Sequence, residues 1–369
     1  MNVTKLLNNR SFKSVSASIV VILFGLIIGY FILLISNPGQ ATEGFLIILK
    51  GGFNGGLRGV GNMLHNAMPI ILTGLSVGFA FKTGLFNIGA SGQFILGAFA
   101  AIYIGVKWTF IPVEFLWIVA LLGSMVAGAL WGAISGILKA YRNVNEVITS
   151  IMLNYIGMYL VNFLVVNTVF DLTRNQSLSP VNAYLPRAGM DILFPFSSVN
   201  VGFIIAVLAA ILMYIILEKT TFGFELKAVG YNREASKYAG INEKKSIILS
   251  MMIAGALSGL GGGLLYLSKT GKHIEVVDVL ASEGFNGVPV ALLGLSNPIG
   301  IIFAGLFVGH MNMGGFYMQK LRFVPEVIDI MIAIIIYFSA LSLAFKSFIE
   351  NMTRKLRGKT LWHWAHSIS

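Results

Sequence analysis

The chain has 369 residues, of which 56% are hydrophobic and 11% are charged, and it contains no cysteine. Soluble domains carry about 25% charged residues, so a chain this long and this poor in charge cannot cover a surface that faces water. The absence of cysteine excludes disulfides, a cysteine nucleophile and zinc held by cysteine. The 26 Lys and Arg, against 15 Asp and Glu, border apolar runs without interleaved aromatics, which indicates cytoplasmic loops and not a nucleic-acid surface.

Apolar runs predict an all-α polytopic membrane protein, since most of them approach the roughly 20 residues that cross a bilayer. The even spacing of the runs predicts two related halves within one transmembrane domain, 1–369. The two short runs that meet at Ser296-Asn297-Pro298 form either two crossings or one re-entrant hairpin. The ten predicted spans are about 18–36, 66–81, 89–106, 114–138, 146–167, 199–217, 247–267, 285–295, 299–312 and 327–346.

Basic residues predict the orientation, because loops rich in Lys and Arg remain in the cytoplasm. Lys5, Arg10 and Lys13 precede the first span, and the tail after the last span is also basic. The loop 218–246 holds the strongest basic cluster inside the chain. Counting spans from a cytoplasmic N-terminus places this loop in the cytoplasm as well, and it places the C-terminus there too.

A short helix is predicted within that cytoplasmic loop. Asn232 suits the N-cap, Glu234 suits the first turn, and Gly240 suits the position after the last turn. Ala235 and Ala239 would form a narrow face that fits a groove on another protein, although a solvated loop that only sets topology is an equal alternative. The predicted docking residues are Asn232, Arg233, Glu234, Ala235, Ser236, Lys237, Tyr238, Ala239 and Gly240.

Polar residues at the starts of spans predict a path for a small polar solute, because lipid would not tolerate them facing outward. Asn87, Ser91 and Gln93 open the third span, Asn154 lies on a polar stripe of the fifth, and Asn286 opens the eighth. The alternative for each residue is helix packing and hydrogen bonding between helices.

Two other functions remain open from the residues alone. The sequence Gly89-Ala90-Ser91-Gly92 has the form of an intramembrane serine hydrolase motif, although a nucleophilic serine needs a base nearby. An ion-coupled secondary transporter would need a buried carboxylate near mid-membrane, and no residue is clearly placed there. The phosphate-binding loop G-x-x-x-x-G-K-[ST] is absent, so ATP hydrolysis would come from a partner.

Four separated blocks, in order along about 60–345, resemble the ribose-permease-like branch of ABC importer permeases, in its nucleoside and simple-sugar subgroup. Ser91 departs from the Glu that this pattern carries, so a charge in the path is in doubt. The blocks are 85–93 (LFNIGASGQ), 145–148 (NEVI) with 152–155 (MLNY), 223–230 (GFELKAVG) and 290–294 (VALLG).

The resemblance implies the ten-span importer fold in the cell membrane, with no enzyme activity, metal or cofactor of its own. It implies that the 232–241 helix docks on a cytoplasmic ATPase, that a second similar permease completes the pore, and that a surface-anchored lipoprotein delivers the solute. ATP binding to the partner would then drive nucleosides or simple sugars across the membrane by alternating access.

Overall fold

The computed structural model describes residues 10–321 and 323–340, and these residues are mostly helical. Lys5, the basic tail and residues 341–346 of the last predicted span lie outside the described residues. The helices are α1 (Arg10–Ser36), α2 (Ala41–Lys50), α3 (Gly56–Lys82), α4 (Ala90–Lys107), α5 (Val113–Arg142), α6 (Glu146–Thr168), α7 (Met190–Leu193), α8 (Val201–Lys219), α9 (Thr221–Tyr231), α10 (Arg233–Tyr238), α11 (Glu243–Tyr266), α12 (Ser282–Phe285), α13 (Gly287–Leu293), α14 (Pro298–Met318) and α15 (Pro325–Ala340). Short 3-10 turns occupy Gly51–Gly55, Val181–Ala183 and Gln319–Leu321, and β1 (Phe170–Asp171) pairs antiparallel with β2 (Gln176–Ser177).

Seven segments of the described chain are helices long and apolar enough to cross a membrane. They lie at Ala41–Lys82, which includes α2 and α3, and at α4, α5, α6, α8, α11 and Pro298–Leu321. The chain is therefore a polytopic helical membrane protein.

The predicted span 285–295 is not a continuous helix. It contains part of α12 and all of α13, which have four and seven residues. A seven-residue helix rises only ~10 Å, about a third of the hydrocarbon thickness. The following helix α14, by contrast, has 21 residues and is long enough to cross.

The chain forms two compact units, which are described separately. In the first, made of residues up to Leu46 and from Met318 onward, α1 packs along α15. The rings of Phe24 and Phe338 meet edge to face there, with centroids 5.3 Å apart.

The second unit, Ile47–Tyr317, is built around α3 and α11, which are mostly buried. Helix α11 packs against α5, α4 and α3, and α13 packs against α3. The outer helices α5 and α8 instead present large apolar side chains, among them Leu122, Leu130 and Leu208, on their exposed faces. Those faces are suited to lipid, as the hydrophobic composition predicted.

Small residues let α5 and α11 approach until their backbones touch. A Cβ atom added to Gly128 would lie 2.2 Å from the Gly255 carbonyl oxygen, and one added to Gly259 would lie 2.4 Å from the Ser124 carbonyl oxygen. Membrane helices associate through such packing because lipid supplies no hydrophobic force between them. The position of α11 therefore depends on these glycines.

We expect Gly128→Leu to lower the free energy of unfolding by at least about 1–3 kcal/mol, the usual cost of overpacking, because its side chain has no space beside Gly255. The matched control is Val126→Leu, two residues away on the exposed face of α5. Thermal unfolding in detergent measures the difference, and equal midpoints for the two variants would contradict this packing account.

Candidate functional site

A buried pair of amides lies at the start of α4. Gln93 Nε2 donates to Asn87 Oδ1 at 3.0 Å, and Asn87 Nδ2 donates to Gln93 Oε1 at 2.9 Å. Asn87 Nδ2 also donates to Ser76 Oγ of α3 at 3.0 Å. Both amides are almost completely buried. Together they fix the non-helical turn that precedes α4 against α3.

Asn154 ties the same turn to α6. Its Oδ1 accepts from the backbone N–H of Gly92 at 2.8 Å, and its Nδ2 donates to the Ile88 carbonyl at 3.1 Å. A Cβ added to Gly92 would lie 3.0 Å from the Asn154 Cα, so the two segments are in direct contact. One side chain thus satisfies two backbone groups that the helix break leaves without helical partners.

Ser91 connects α4 to the segment that precedes α12. Its Oγ donates to the Ala281 carbonyl at 2.8 Å, and a Cβ added to Gly284 would lie 2.2 Å from the Ser91 Cα. Next to it, Ser258 Oγ of α11 donates to the Ala90 carbonyl at 2.6 Å.

The structure therefore brings together four of the five residues that the sequence predicted for a solute path. Asn87, Ser91, Gln93 and Asn154 are each at most 1% exposed. Asn87 and Gln93 bond to each other, whereas Asn154 and Ser91 bond to backbone groups of the adjoining segments. Asn286, by contrast, is exposed in the turn between α12 and α13. Contact of these residues with a solute stays a prediction.

The surroundings of Ser91 do not support the serine hydrolase alternative. Its hydroxyl donates to a carbonyl oxygen and not to a base. His310 of α14 has Nε2 at 3.1 Å from the Leu49 carbonyl oxygen and its ring against Phe53, so it does not serve as a base for Ser91. Among the described residues, no group of three or more His, Cys, Asp or Glu is placed to hold a metal ion.

An extended stretch between α11 and α12 is not among the spans that the sequence predicted. Ser177 N donates to the Ile274 carbonyl at 2.8 Å at one end, and Ser91 holds the Ala281 carbonyl at the other. Between them, Asn162 Nδ2 of α6 donates to the Val277 carbonyl at 3.0 Å and lies 3.3 Å from Asp278 Oδ1. The signal in the sequence was a β-branched run, Val276-Val277-Asp278-Val279, between the predicted spans 247–267 and 285–295.

The predicted short helix in the basic loop is present as α10, with both caps in place. Asn232 Oδ1 accepts from the Ala235 N–H at 3.0 Å. At the other end Gly240 has φ +80°, Gly240 N donates to the Lys237 carbonyl at 3.0 Å, and Ile241 N donates to the Ser236 carbonyl at 3.1 Å. This is a Schellman ending, in which a glycine adopts the left-handed conformation.

The two faces of α10 differ. Tyr231 and Tyr238 are 90% and 93% exposed, and Ala235 and Ala239 are exposed between them. Ser236 is buried, with its hydroxyl donating to the Arg233 carbonyl.

Arg233 also belongs to the inner face of α10. Its Nε lies 2.6 Å from Glu243 Oε2, and its guanidinium makes a second contact with the other carboxylate oxygen at 3.3 Å. Of the predicted docking residues, Arg233 therefore ties α10 to the start of α11 and Ser236 is buried, while the alanines and Tyr238 are exposed.

A contact between two glycines joins α9, which precedes α10, to the buried polar group. Gly84 has φ +70°, and a Cβ there would lie 2.9 Å from the Gly230 Cα at the end of α9. Nearby, Thr83 Oγ1 is 2.5 Å from Ser250 Oγ of α11. A displacement of α9 and α10 would therefore press directly on the turn that leads into Asn87.

Comparison with known proteins agrees with this architecture. The family model described as "Branched-chain amino acid transport system / permease component" matches residues 59–340. The guanosine ABC transporter permease protein NupP of Bacillus subtilis (strain 168) is 38% identical, over 91% of this chain and 96% of that protein. The nucleoside ABC transporter permease protein NupB of Lactococcus lactis subsp. cremoris (strain MG1363) is 39% identical, over 95% and 96%. The glucose ABC transporter permease protein TsgB13 of Haloferax volcanii is 32% identical, over 81% and 80%.

The chain belongs to this family of transport-system permease components, and it is a multi-pass membrane permease of an ABC transporter. The predicted resemblance is confirmed. A permease of this class moves a solute and is not an enzyme, and it works with an ATPase and a binding protein.

Replacing Gln93 by Leu should lower the free energy of unfolding by about 1–3 kcal/mol, because Asn87 Oδ1 then loses its donor in a buried site. Asn167→Leu, at the exposed C-terminal end of α6, is the control and should change stability by less than about 0.5 kcal/mol. Chemical unfolding in detergent compares them, and similar small losses would mean that the buried amides do not stabilise this turn.

Proposed function

We propose that the chain is the permease subunit of an ATP-driven importer that carries nucleosides across the cell membrane. The observation that carries this proposal is the capped helix α10, whose exposed alanine face is joined through the Gly84–Gly230 contact to the buried polar group. A helix of six residues is too short to be stable alone, so its rigid capping favours a docking function.

Nucleosides are the favoured class of solute, because the more similar of these relatives are named as nucleoside or guanosine permeases. The two relatives at 38% and 39% identity are named for guanosine and for nucleosides, and they align over nearly the whole chain. The glucose permease is less similar, at 32%, and covers less of the chain. Simple sugars remain the second solute class within the same function.

The proposed topology has ten crossings with both termini in the cytoplasm. To the seven long segments it adds α1, α15 and one broken crossing, made of the extended stretch 274–281 with α12 and α13. Lys82, Lys139 and Arg142 then lie on the same side as the basic loop, as the positive-inside rule requires. Two halves related by an internal repeat remain part of this proposal.

Three partners complete the proposed importer. A cytoplasmic ATPase receives α10, and a second, similar permease completes the pore. A surface-anchored lipoprotein delivers the solute to the outer loop 168–198. That loop presents Leu172, Ile192 and Phe196, each more than four-fifths exposed, which is suitable for contact with a binding protein.

Transport then proceeds by alternating access. ATP binding closes the partner ATPases and moves α10 together with α9, because Asn232 caps α10 directly after α9 ends. The movement reaches the turn at Gly84 and shifts the start of α4 relative to α6 and α12. The pore closes to one side and opens to the other, and no bond of the solute is made or broken.

Introducing a carboxylate on the docking face should separate the permease from its ATPase. We expect Ala235→Glu and Ala239→Glu each to reduce ATPase recovery at least tenfold when the permease is purified from its own membranes in mild detergent. Both positions are exposed, so the permease itself should remain folded. The control, Leu172→Glu, adds the same charge at an exposed site in the outer loop.

Two outcomes would count against this function. If no ATPase accompanied the unaltered permease, an ion-coupled secondary transporter would become the better description. If an ATPase were recovered equally with all variants, α10 would not be its docking site, although the importer class would stand.

A further inference from the structure

The extended stretch before α12 lies at membrane depth, and this depth can be measured along α6, which the stretch contacts. Helix α6 has 23 residues and is therefore ~34 Å long, slightly more than the hydrocarbon thickness. Asn162, which holds the Val277 carbonyl, lies six residues or ~9 Å from its outer end. At the other end of the stretch, Ser91 donates to the Ala281 carbonyl. The next residue, Gly92, bonds to Asn154, which lies eight residues, or ~12 Å, from the inner end of α6.

One edge of this stretch is covered by protein. Ile274 is buried among side chains of α4 and α6, and Val276 and Ala281 pack against the same cluster. Asn162 and Ser91 donate to two of its carbonyl groups. Non-helical backbone at this depth is tolerated only where it is buried in protein or lines a water-filled cavity, so this edge meets the first condition.

The other edge is open and polar. Asp278, Ser282 and Asn286 are exposed, and Val279 is 72% exposed. Glu283 forms an ion pair with Lys272, and the two side chains retain 21% and 39% exposure. Carboxylates and ammonium groups at this depth face water or a partner and not lipid. The open edge therefore fits a water-filled path.

Two tyrosines of α6 lie on the face of that helix that contacts the stretch. Tyr155 and Tyr159 are about half exposed, and they share a face of α6 with Asn162, which contacts the stretch. Their rings offer flat surfaces on which a nucleobase can stack, a contact that is worth ~1–3 kcal/mol per base in nucleic-acid complexes. Carboxylates and aromatic rings together match a solute that has hydroxyl groups at one end and a flat ring at the other.

We propose that the open edge of 275–286 forms a wall of the translocation path, and that the Lys272–Glu283 ion pair is a contact site for the sugar hydroxyls of a nucleoside. This proposal rests on the importer function above. A carboxylate accepts hydrogen bonds from two neighbouring hydroxyls, and an ammonium group donates to sugar or base oxygens. In the empty path the two groups neutralise each other. A passing nucleoside replaces this ion pair with its own hydrogen bonds to both groups.

The absence of native cysteine permits a direct test of the wall. In the assembled transporter, Val279→Cys and Ser282→Cys should react with a charged, membrane-impermeant methanethiosulfonate at least tenfold faster than Leu122→Cys and Leu130→Cys. The control positions are 55% and 61% exposed on the outer face of α5. Only a thiol in water ionises readily to the reactive thiolate, so equal rates at all four positions would overturn the wall assignment.

Uptake kinetics test the contact site. Glu283→Gln should raise the KM for guanosine about tenfold, because one hydrogen bond to a charged group is lost. The KM for 2′,3′-dideoxyguanosine should change less than twofold. Glu114→Gln, an exposed carboxylate in the first turn of α5, is the control and should leave both values unchanged.

Failure of this site and failure of the proposed function give different results. If the unaltered transporter takes up no nucleoside, the importer function for nucleosides is wrong. If it takes up guanosine and Glu283→Gln behaves like Glu114→Gln, only the contact site is wrong. If Glu283→Gln does not reach the membrane, Lys272→Gln replaces it and must show the same selective loss for guanosine.

Discussion

Hydrogen bonding of the backbone within the membrane is the constraint on which the rest of this structure depends. A helix satisfies its own backbone groups, but each break in a helix leaves groups that lipid cannot satisfy. The chain breaks its helices before α4, and before α12 in the stretch proposed to lie at membrane depth. Asn154 serves the first break, and Ser91 and Asn162 serve the second. The breaks can exist only because these polar side chains, set in otherwise apolar helices, are close to them.

The two breaks also place the moving parts next to one another. The turn before α4 touches Gly230 of α9, and Ser91 at the start of α4 touches Gly284. A short chain of direct contacts therefore runs from α10, proposed to dock on the ATPase, to the segment proposed to line the path. Since these contacts join backbones, little of a displacement would be lost in side-chain rearrangement.

Much of this arrangement was predictable from the sequence, for identifiable reasons. Long apolar runs such as those in α5 and α8 predicted their helices because length and composition decide crossing, and the caps of α10 followed from Asn232 and Gly240. Sequence also selected Asn87, Gln93 and Asn154 as residues that avoid lipid. It could not tell whether they face a cavity or each other, because that depends on partners such as Ser76 and Ile88 that are fixed only by tertiary packing. The stretch at 276–279 was missed because nothing local distinguishes a chain held at membrane depth by Asn162 from an external loop.

The most direct test of the central claim is uptake of labelled guanosine by vesicles that contain the permease with its partner subunits. We expect accumulation against the concentration gradient that requires ATP and persists when an ionophore abolishes the ion gradients. Uptake that survives ATP depletion and collapses with the ionophore would contradict the account. It would instead point to ion coupling, for which the Lys272–Glu283 pair would be the first group to examine.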